Sequence, residues 1–403
     1  MVSLLRNNNV TMKQSNNETM EQSNNKLLYY LSFSYFLGIG PMRLKALMEY
    51  FGGVKKAYNA KEKEIKMVIG VNIARKFIEF RANFDPVKKM EELKKKNIKV
   101  LCLVDKDYPE SLRNISDPPI CIYLKSSMPN FFSSVGVLAS LRTSQVAKNS
   151  TSSLLFAIVG TRKPTSYGQQ VARKFAYELS EAGFVIVSGM AMGIDTVAHQ
   201  GALAAGGKTI AVLGCGVNVI YPAINRNLYE KIIKTGGAVL SEFPPDQLVL
   251  KGLFIARNRI ISGLSRGVMI VEGLKDSGAL ITARFAAEQG KEVFAPPNPI
   301  TSEMSQAPNL LLKQGAKLVT SLEDILEEFN LKITPKKKED IRKKLTGTGK
   351  IVLDILQENP QTIDELAVNL DKPVTEILNT ISLMEIEGIV EKNNENCYQV
   401  KLQ

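Results

Sequence analysis

The stretch Phe156-Ala-Ile-Val-Gly-Thr-Arg-Lys-Pro-Thr-Ser-Tyr-Gly168 decides how this 403-residue chain folds. Four apolar residues run into a glycine, a hydroxyl and two positive charges, and from about Gln170 to Ala182 the pattern is that of an amphipathic helix. This is a strand delivering a cationic turn. Such strand-to-helix turns lie at the carboxyl edge of a parallel sheet, where α/β proteins bind ligands, and Gly160, Thr161, Arg162 and Lys163 offer donors suited to an anion.

Further apolar runs follow at Val185 to Val187, Ile210 to Leu213, Val239-Leu240, Val268 to Val271 and Val293 to Ala295, alternating with helical patterns. Continuous apolar strands between helices predict an α/β fold with a doubly covered parallel sheet of roughly six strands or more. Each strand ends in small or polar residues: Gly160-Thr161-Arg162, Ser188-Gly189, Gly214-Cys-Gly216, Glu242 and Glu272-Gly273. One glycine there only makes a turn, but glycines on several edges let a ligand approach the backbone.

Between the Val239-Leu240 and Val268 to Val271 runs comes Lys251-Gly-Leu-Phe254-Ile-Ala-Arg257-Asn258-Arg259. Cationic side chains can track phosphates while a phenyl ring stacks on an unpaired base, although Phe254 taken alone reads as core. Ser277-Gly278, before a helix expected from about Ala279 to Gln289, adds another anion-ready helix start.

Enzymatic signatures are weak. No Gly-x-x-x-x-Gly-Lys-Ser/Thr loop occurs, and Gly214-x-Gly216 does not continue as a dinucleotide fingerprint, so neither ATP nor NAD is expected, nor any other cofactor. The single histidine, His199, follows Asp195 by four residues on an expected helix, where acid and base could share a face. A structural pair near a helix start is the better reading. Asp195, His199, Glu242 and Glu272 would be the acid–base groups of an alternative, a nucleotide or phosphoribosyl hydrolase.

No run of about 18 apolar residues is present to span a membrane, and the expected location is the cytoplasm. Four cysteines, Cys102, Cys121, Cys215 and Cys397, lack paired spacing, so neither a zinc site nor a disulfide framework is indicated. The net charge of +12 is unevenly spread. Residues 1 to 150 carry 24 Lys and Arg against 13 Asp and Glu, whereas 151 to 330 carry 17 against 15 and 331 to 403 carry 11 against 12. A basic front gives weak support for a nucleic-acid partner.

The flanks read as separate modules. Residues 1 to 25, rich in Asn, Ser and Gln, are expected to be a disordered tail. From 26 to 97 the pattern is helical, and Leu37-Gly-Ile-Gly-Pro41 looks like the turn of a helix-hairpin-helix, with a weaker copy at Ile69-Gly-Val71. A Lys-rich helix from Asp85 to Asn97 closes this module, and a strand from Ile98 to Val104 opens a central domain from 98 to 330. The interval from Lys125 to Ser153, around Phe131-Phe132, is expected to be a surface loop. A basic linker spans 331 to 344. Residues 345 to 403 read as a winged helix: three helices, the second opened by the capping box Thr362-Ile-Asp-Glu365, then a two-stranded turn. With four basic residues against ten acidic ones, that module is expected to contact protein rather than DNA.

Gly160-Thr-Arg162, Tyr167-Gly168, Ser188-Gly-Met-Ala-Met-Gly-Ile-Asp-Thr-Val-Ala-His199, Tyr221-Pro222, Ser241-Glu242, Arg257-Asn-Arg-Ile-Ile261, Ser277-Gly278 with Thr282-Ala283, and Gly315-Ala316 stand in order along the chain. Together they resemble the DprA/Smf family of DNA-processing proteins over about Asp105 to Phe329. The resemblance implies an extended Rossmann fold that forms a homodimer, binds single-stranded DNA and loads the RecA recombinase during natural transformation, without catalysis. It also implies that Arg162 is the central phosphate contact, with Lys251 and Phe254 across the groove and Arg257, Asn258 and Arg259 beside them. Ile255 stands where Phe-Pro is usual, Pro297-Asn298 replaces a usual Pro-Gly, and Ala307 replaces a common glycine.

Overall fold

The computed structural model describes residues 26–135, 154–331, 347–386, 389–392 and 397–400. The apolar runs become strands, and two that the sequence did not mark, Cys121–Ser126 and Lys317–Leu318, join them: β1 (Lys99–Cys102), β2 (Cys121–Ser126), β3 (Leu155–Val159), β4 (Val185–Ser188), β5 (Thr209–Val212), β6 (Ala238–Ser241), β7 (Gly267–Ile270), β8 (Glu292–Ala295) and β9 (Lys317–Leu318). They join one sheet in the order β1-β2-β6-β5-β4-β3-β7-β8-β9. From β6 to β9 all pairings are parallel, and β3 to β7 are buried throughout their length because helices cover both faces. The chain runs from β3 outward through β4, β5 and β6, then returns past β3 to β7 and β8. The switch in strand order therefore falls between β3 and β7, where the turn after β3 begins.

Two strands extend the sheet beyond the parallel set. β2 pairs antiparallel with β6, and β1 pairs antiparallel with β2. Helical residues at 26–35 and the helices Pro41–Phe51, Val54–Asn59, Glu62–Ile69, Val71–Asn83 and Pro86–Lys95 build a layer against this end. Asp85 caps the last of them, accepting from the amides of Val87 and Lys88 at 2.9 and 3.0 Å. Leu31 and Leu93 of this layer lie in the same apolar cluster as Tyr123, Val239 and Ile232. The helical layer and the sheet thus share an apolar cluster, and their described residues fall in one compact unit.

Local expectations shift in two further places. Phe131, expected on a surface loop, is buried in the main core with Leu101, Leu124 and Val135; the rest of that loop, 136–153, lies outside the described residues, as do the expected tail 1–25 and the linker over 332–344. Cys102 and Cys121, remote in sequence, stand opposite each other on β1 and β2, with their Sγ atoms 2.8 Å apart.

The second compact unit follows residue 332. It holds the helices Thr348–Glu358, Ile363–Leu370 and Val374–Ile386, with an antiparallel ribbon of Val390–Lys392 and Tyr398–Val400. Thr362 caps the second helix by accepting from the Glu365 amide at 3.3 Å, and Glu365 accepts in return from the Thr362 amide at 2.7 Å. Val352, Leu356, Leu366, Ile377, Ile381 and Tyr398 form its core.

Candidate nucleic-acid interface

The cationic turn after β3 is held from three sides. Its Thr161 amide donates to the Glu272 carbonyl at 2.8 Å, tying the end of β3 to the end of β7 across the switch point. Thr165 then caps the helix Ser166–Glu181, accepting from the Gly168 amide at 3.1 Å. The Glu272 carboxylate, buried in the crevice, accepts from the Thr165 amide at 2.9 Å and from the Thr165 hydroxyl. On the third side the Ile194 amide donates to the Thr161 carbonyl at 3.1 Å. Gly193, at φ +83°, packs so closely that an added Cβ would lie 2.4 Å from Thr161 O and 2.8 Å from Arg162 Cα.

What this frame leaves in solvent is positive. Arg162 and Lys163 are exposed, while Gly160 and Thr161 are half-buried. The Arg162 guanidinium carbon lies 5.8 Å from the centroid of the Phe254 ring. Phe254 comes from the helix Lys251–Leu264, whose first residue, Lys251, is exposed. Its ring packs down on Gly214 at the end of β5, where a Cβ would stand 2.8 Å from Phe254 Cδ1. Asn258, half-buried, donates to the Gly278 carbonyl at 3.3 Å, bringing Ser277 and the exposed Gly278 to the same edge. The Ser277 hydroxyl has no hydrogen-bond partner there.

Four of the residues expected to touch a ligand do not face it. Ser188 is buried and donates to the Ile158 carbonyl at 2.7 Å, and Gly189 is buried beneath Arg257. Arg257 is only 4% exposed; its Nη1 donates to the carbonyls of Gly189, at 2.7 Å, and Val212, linking the ends of β4 and β5. Arg259, 5% exposed, pairs with Asp117 at 2.9 Å and with Glu242. Both guanidiniums are turned into the protein, Arg257 onto backbone carbonyls and Arg259 onto carboxylates, while Arg257 Nε and Arg259 Nη1 are buried without a hydrogen-bond partner. Arg257 and Arg259 hold the edge in shape, and Arg162, Lys163 and Lys251 carry its exposed charge.

The acid–base groups are likewise committed to structure. Burial holds the Asp195 carboxyl above its usual range, partly offset by nearby Arg257, and it accepts from the amides of Gly189 and Ala191 at 3.1 and 3.3 Å. His199 is wholly buried with Nδ1 2.7 Å from Thr209 Oγ1, and burial, reinforced by Arg257, pushes its pKa down to about 3. It is neutral at physiological pH. Burial raises Glu242 while Arg259 lowers it. None of the four faces solvent as a free acid or base, and the hydrolase alternative gains no support. Among the described residues no group of His, Cys, Asp and Glu could hold a metal ion, and no helix is long and apolar enough to cross a membrane.

One aromatic escaped the sequence reading of the site. Tyr221, beside Pro222 on the loop after β5, sets its ring 5.6 Å from that of Phe254. The signal available was an exposed aromatic beside a proline at a strand's carboxyl end, but its partner lies 33 residues downstream.

A large, mostly parallel sheet with helices on both faces, and with exposed cations and an aromatic ring near the strand-order switch, defines a Rossmann-like α/β protein. The chain is more narrowly placed by its relatives. It belongs to the DNA recombination-mediator protein A family, whose sequence model matches residues 99–330. It is 38% identical over 300 residues to protein Smf of Synechocystis sp., covering 74% of this chain and 71% of that one. The DNA processing protein DprA of Bacillus subtilis is 40% identical over 236 residues, 59% of this chain and 73% of that one. The X-ray structure of DNA processing protein A from Streptococcus pneumoniae superimposes with a TM-score of 0.62 at 33% identity, over 77% of this chain and 99% of that one.

Proposed function

We propose that this protein is a recombination mediator that binds single-stranded DNA at the carboxyl edge of its sheet, acting as a homodimer in the cytoplasm and delivering RecA recombinase to incoming strands during natural transformation. The observation that carries the reading is Arg162, an exposed guanidinium on a rigid turn with an aromatic face beside it. Cation plus ring suits a phosphate with an unpaired base attached. Lys163, Lys251 and Asn258, with the free helix start at Ser277 and Gly278, extend the phosphate track, while binding itself needs no chemistry and no cofactor. Membership of a recombination-mediator family supports the same role.

The flanking modules fit around it. The turn through Gly38 and Gly40 into the helix Pro41–Phe51 reads as a helix-hairpin-helix, able to present amides to a backbone phosphate. The three helices and ribbon after residue 347 read as a winged helix, whose acidic balance suits a protein partner.

The test is salt dependence. Each phosphate neutralised contributes about −0.7 to the slope of log affinity against log salt on single strands. Arg162→Ala should weaken binding to oligo-dT and make that slope shallower by about that amount, while duplex DNA of equal length competes poorly. Wild-type affinity in Arg162→Ala at moderate salt would sink this assignment of the groove.

A further inference from the structure

Several exposed apolar side chains of the sheet region lie along one edge. Met192 follows β4, Tyr221 and Ile224 follow β5, Leu248 and Leu250 follow β6, and Ile255 lies in the first turns of the helix that comes next. Every one belongs to a segment leaving the carboxyl end of a strand, the edge that also carries Arg162, Lys163 and Lys251. Single apolar residues on a surface are ordinary, but several on neighbouring segments of one edge mark a contact surface. Tyr221 is placed most specifically. It is 43% exposed, and its ring plane is tilted 44° to that of Phe254, so part of the ring remains in water.

We propose that Tyr221 is the base platform of this edge: an unpaired base rests on its ring, continuing onto Phe254, while the attached phosphate is held by Arg162. Ile224 and Leu248 extend the platform beneath neighbouring bases. The inference rests on the single-stranded DNA reading and adds what the strand presents to the protein, namely its base faces. The argument is one of matched chemistry. A nucleic-acid strand alternates anionic phosphates with apolar ring faces, and this edge interleaves cations with aromatic and aliphatic side chains. Ring faces carry no donor or acceptor pattern, so such contacts tolerate any sequence. In a duplex those faces are covered by stacked neighbours, so the same platform rejects paired DNA.

The test compares two oligomers of equal length and charge, oligo-dT and an abasic phosphodiester chain, titrated by fluorescence anisotropy against the full-length protein. Wild type is expected to prefer oligo-dT. Tyr221→Ala should weaken oligo-dT binding about five- to hundred-fold, the range found for removing a stacking ring, and leave abasic binding unchanged. Tyr221→Phe should keep wild-type affinity for both. Ile224→Asn, at a side chain 79% exposed and so harmless to folding, should lower oligo-dT affinity in the same selective way but less. Unchanged oligo-dT binding in Tyr221→Ala overturns the proposal, and so does equal loss on both oligomers, which would make the ring a support for the phosphate turn. If wild type bound both oligomers equally, the platform would fall while the DNA reading stood; if it bound neither, the DNA reading itself would fall.

Discussion

Gly193 sets the height of the Arg162 turn, and a single methyl group tests it. Its backbone, at φ +83° and ψ −129°, is a conformation that residues with a side chain avoid. An alanine Cβ would also meet Thr161 O at 2.4 Å and Arg162 Cα at 2.8 Å. Both contacts are backbone, so no rotamer relieves them. Strained backbone costs about 1–3 kcal/mol and overpacking a rigid site about 1–3 kcal/mol more. Gly193→Ala should therefore destabilise the unit by about 2–6 kcal/mol. Gly206 provides the control, since it also has positive φ, +66°, but nothing lies within 4 Å of its would-be Cβ. Gly206→Ala should cost only about 1–2 kcal/mol, the left-handed backbone penalty alone. Urea titrations followed by circular dichroism would read both midpoints, with an unchanged slope confirming a common unfolding transition. Oligo-dT affinity at the same salt should drop several-fold in Gly193→Ala and stay at the wild-type value in Gly206→Ala. Equal destabilisation by the two variants, or full affinity in a folded Gly193→Ala, would refute the claim that Gly193 positions Arg162.

Three other outcomes follow from the buried groups. His199 has a folded pKa of about 3 against an ordinary 6.5, so the unfolded chain binds its proton first as pH falls. The stability tied to its neutral form is fully present above pH 6.5 and declines between about 6.5 and 3, by about 2 kcal/mol at pH 5; His199→Gln should remove that component from a plot of stability against pH. Arg259→Ala strands Glu242 in the interior and should cost about 3–5 kcal/mol in thermal or urea unfolding, whereas Arg259→Met with Glu242→Leu should recover most of it. The hydrogen bond between the two thiols, reinforced by burial, holds Cys102 well above its usual pKa, and Cys121 is equally enclosed. Both should resist a thiol reagent until the protein unfolds, with labelling read by peptide mass spectrometry; rapid modification of either under native conditions would contradict the packing of β1 on β2.

The parallel half of the sheet was legible because strands covered on both faces cannot alternate, and so appear as unbroken apolar runs such as Phe156 to Val159. Arg162 was legible for a related reason: glycine, hydroxyl and cation in succession after such a run leave the cation nowhere to go but the turn. The fate of Arg257 and Arg259 could not be read that way. Whether a guanidinium meets water or a carboxylate depends on partners brought in by the fold, here Asp117 from a loop before β2 and Glu242 after β6. The meeting of Cys102 with Cys121, and of Tyr221 with Phe254, is equally a product of topology. Of the antiparallel extension, the strand at 98 to 104 was legible and β2 was not, and the direction in which the two pair beside β6 is set by tertiary contacts rather than by local pattern.

The shared core of the helical layer and the sheet bears on how this chain can be divided. Sequence similarity to the family model begins at Lys99, inside β1, yet Leu31 and Leu93 are already packed against strand residues Tyr123 and Val239. The boundary of the family match is therefore not a boundary of what folds together. A gene truncated at the start of the conserved region would strip the sheet of part of its own interior, while one truncated after residue 332 would lose a self-contained piece. In modular terms the chain can shed its far end and must keep its front.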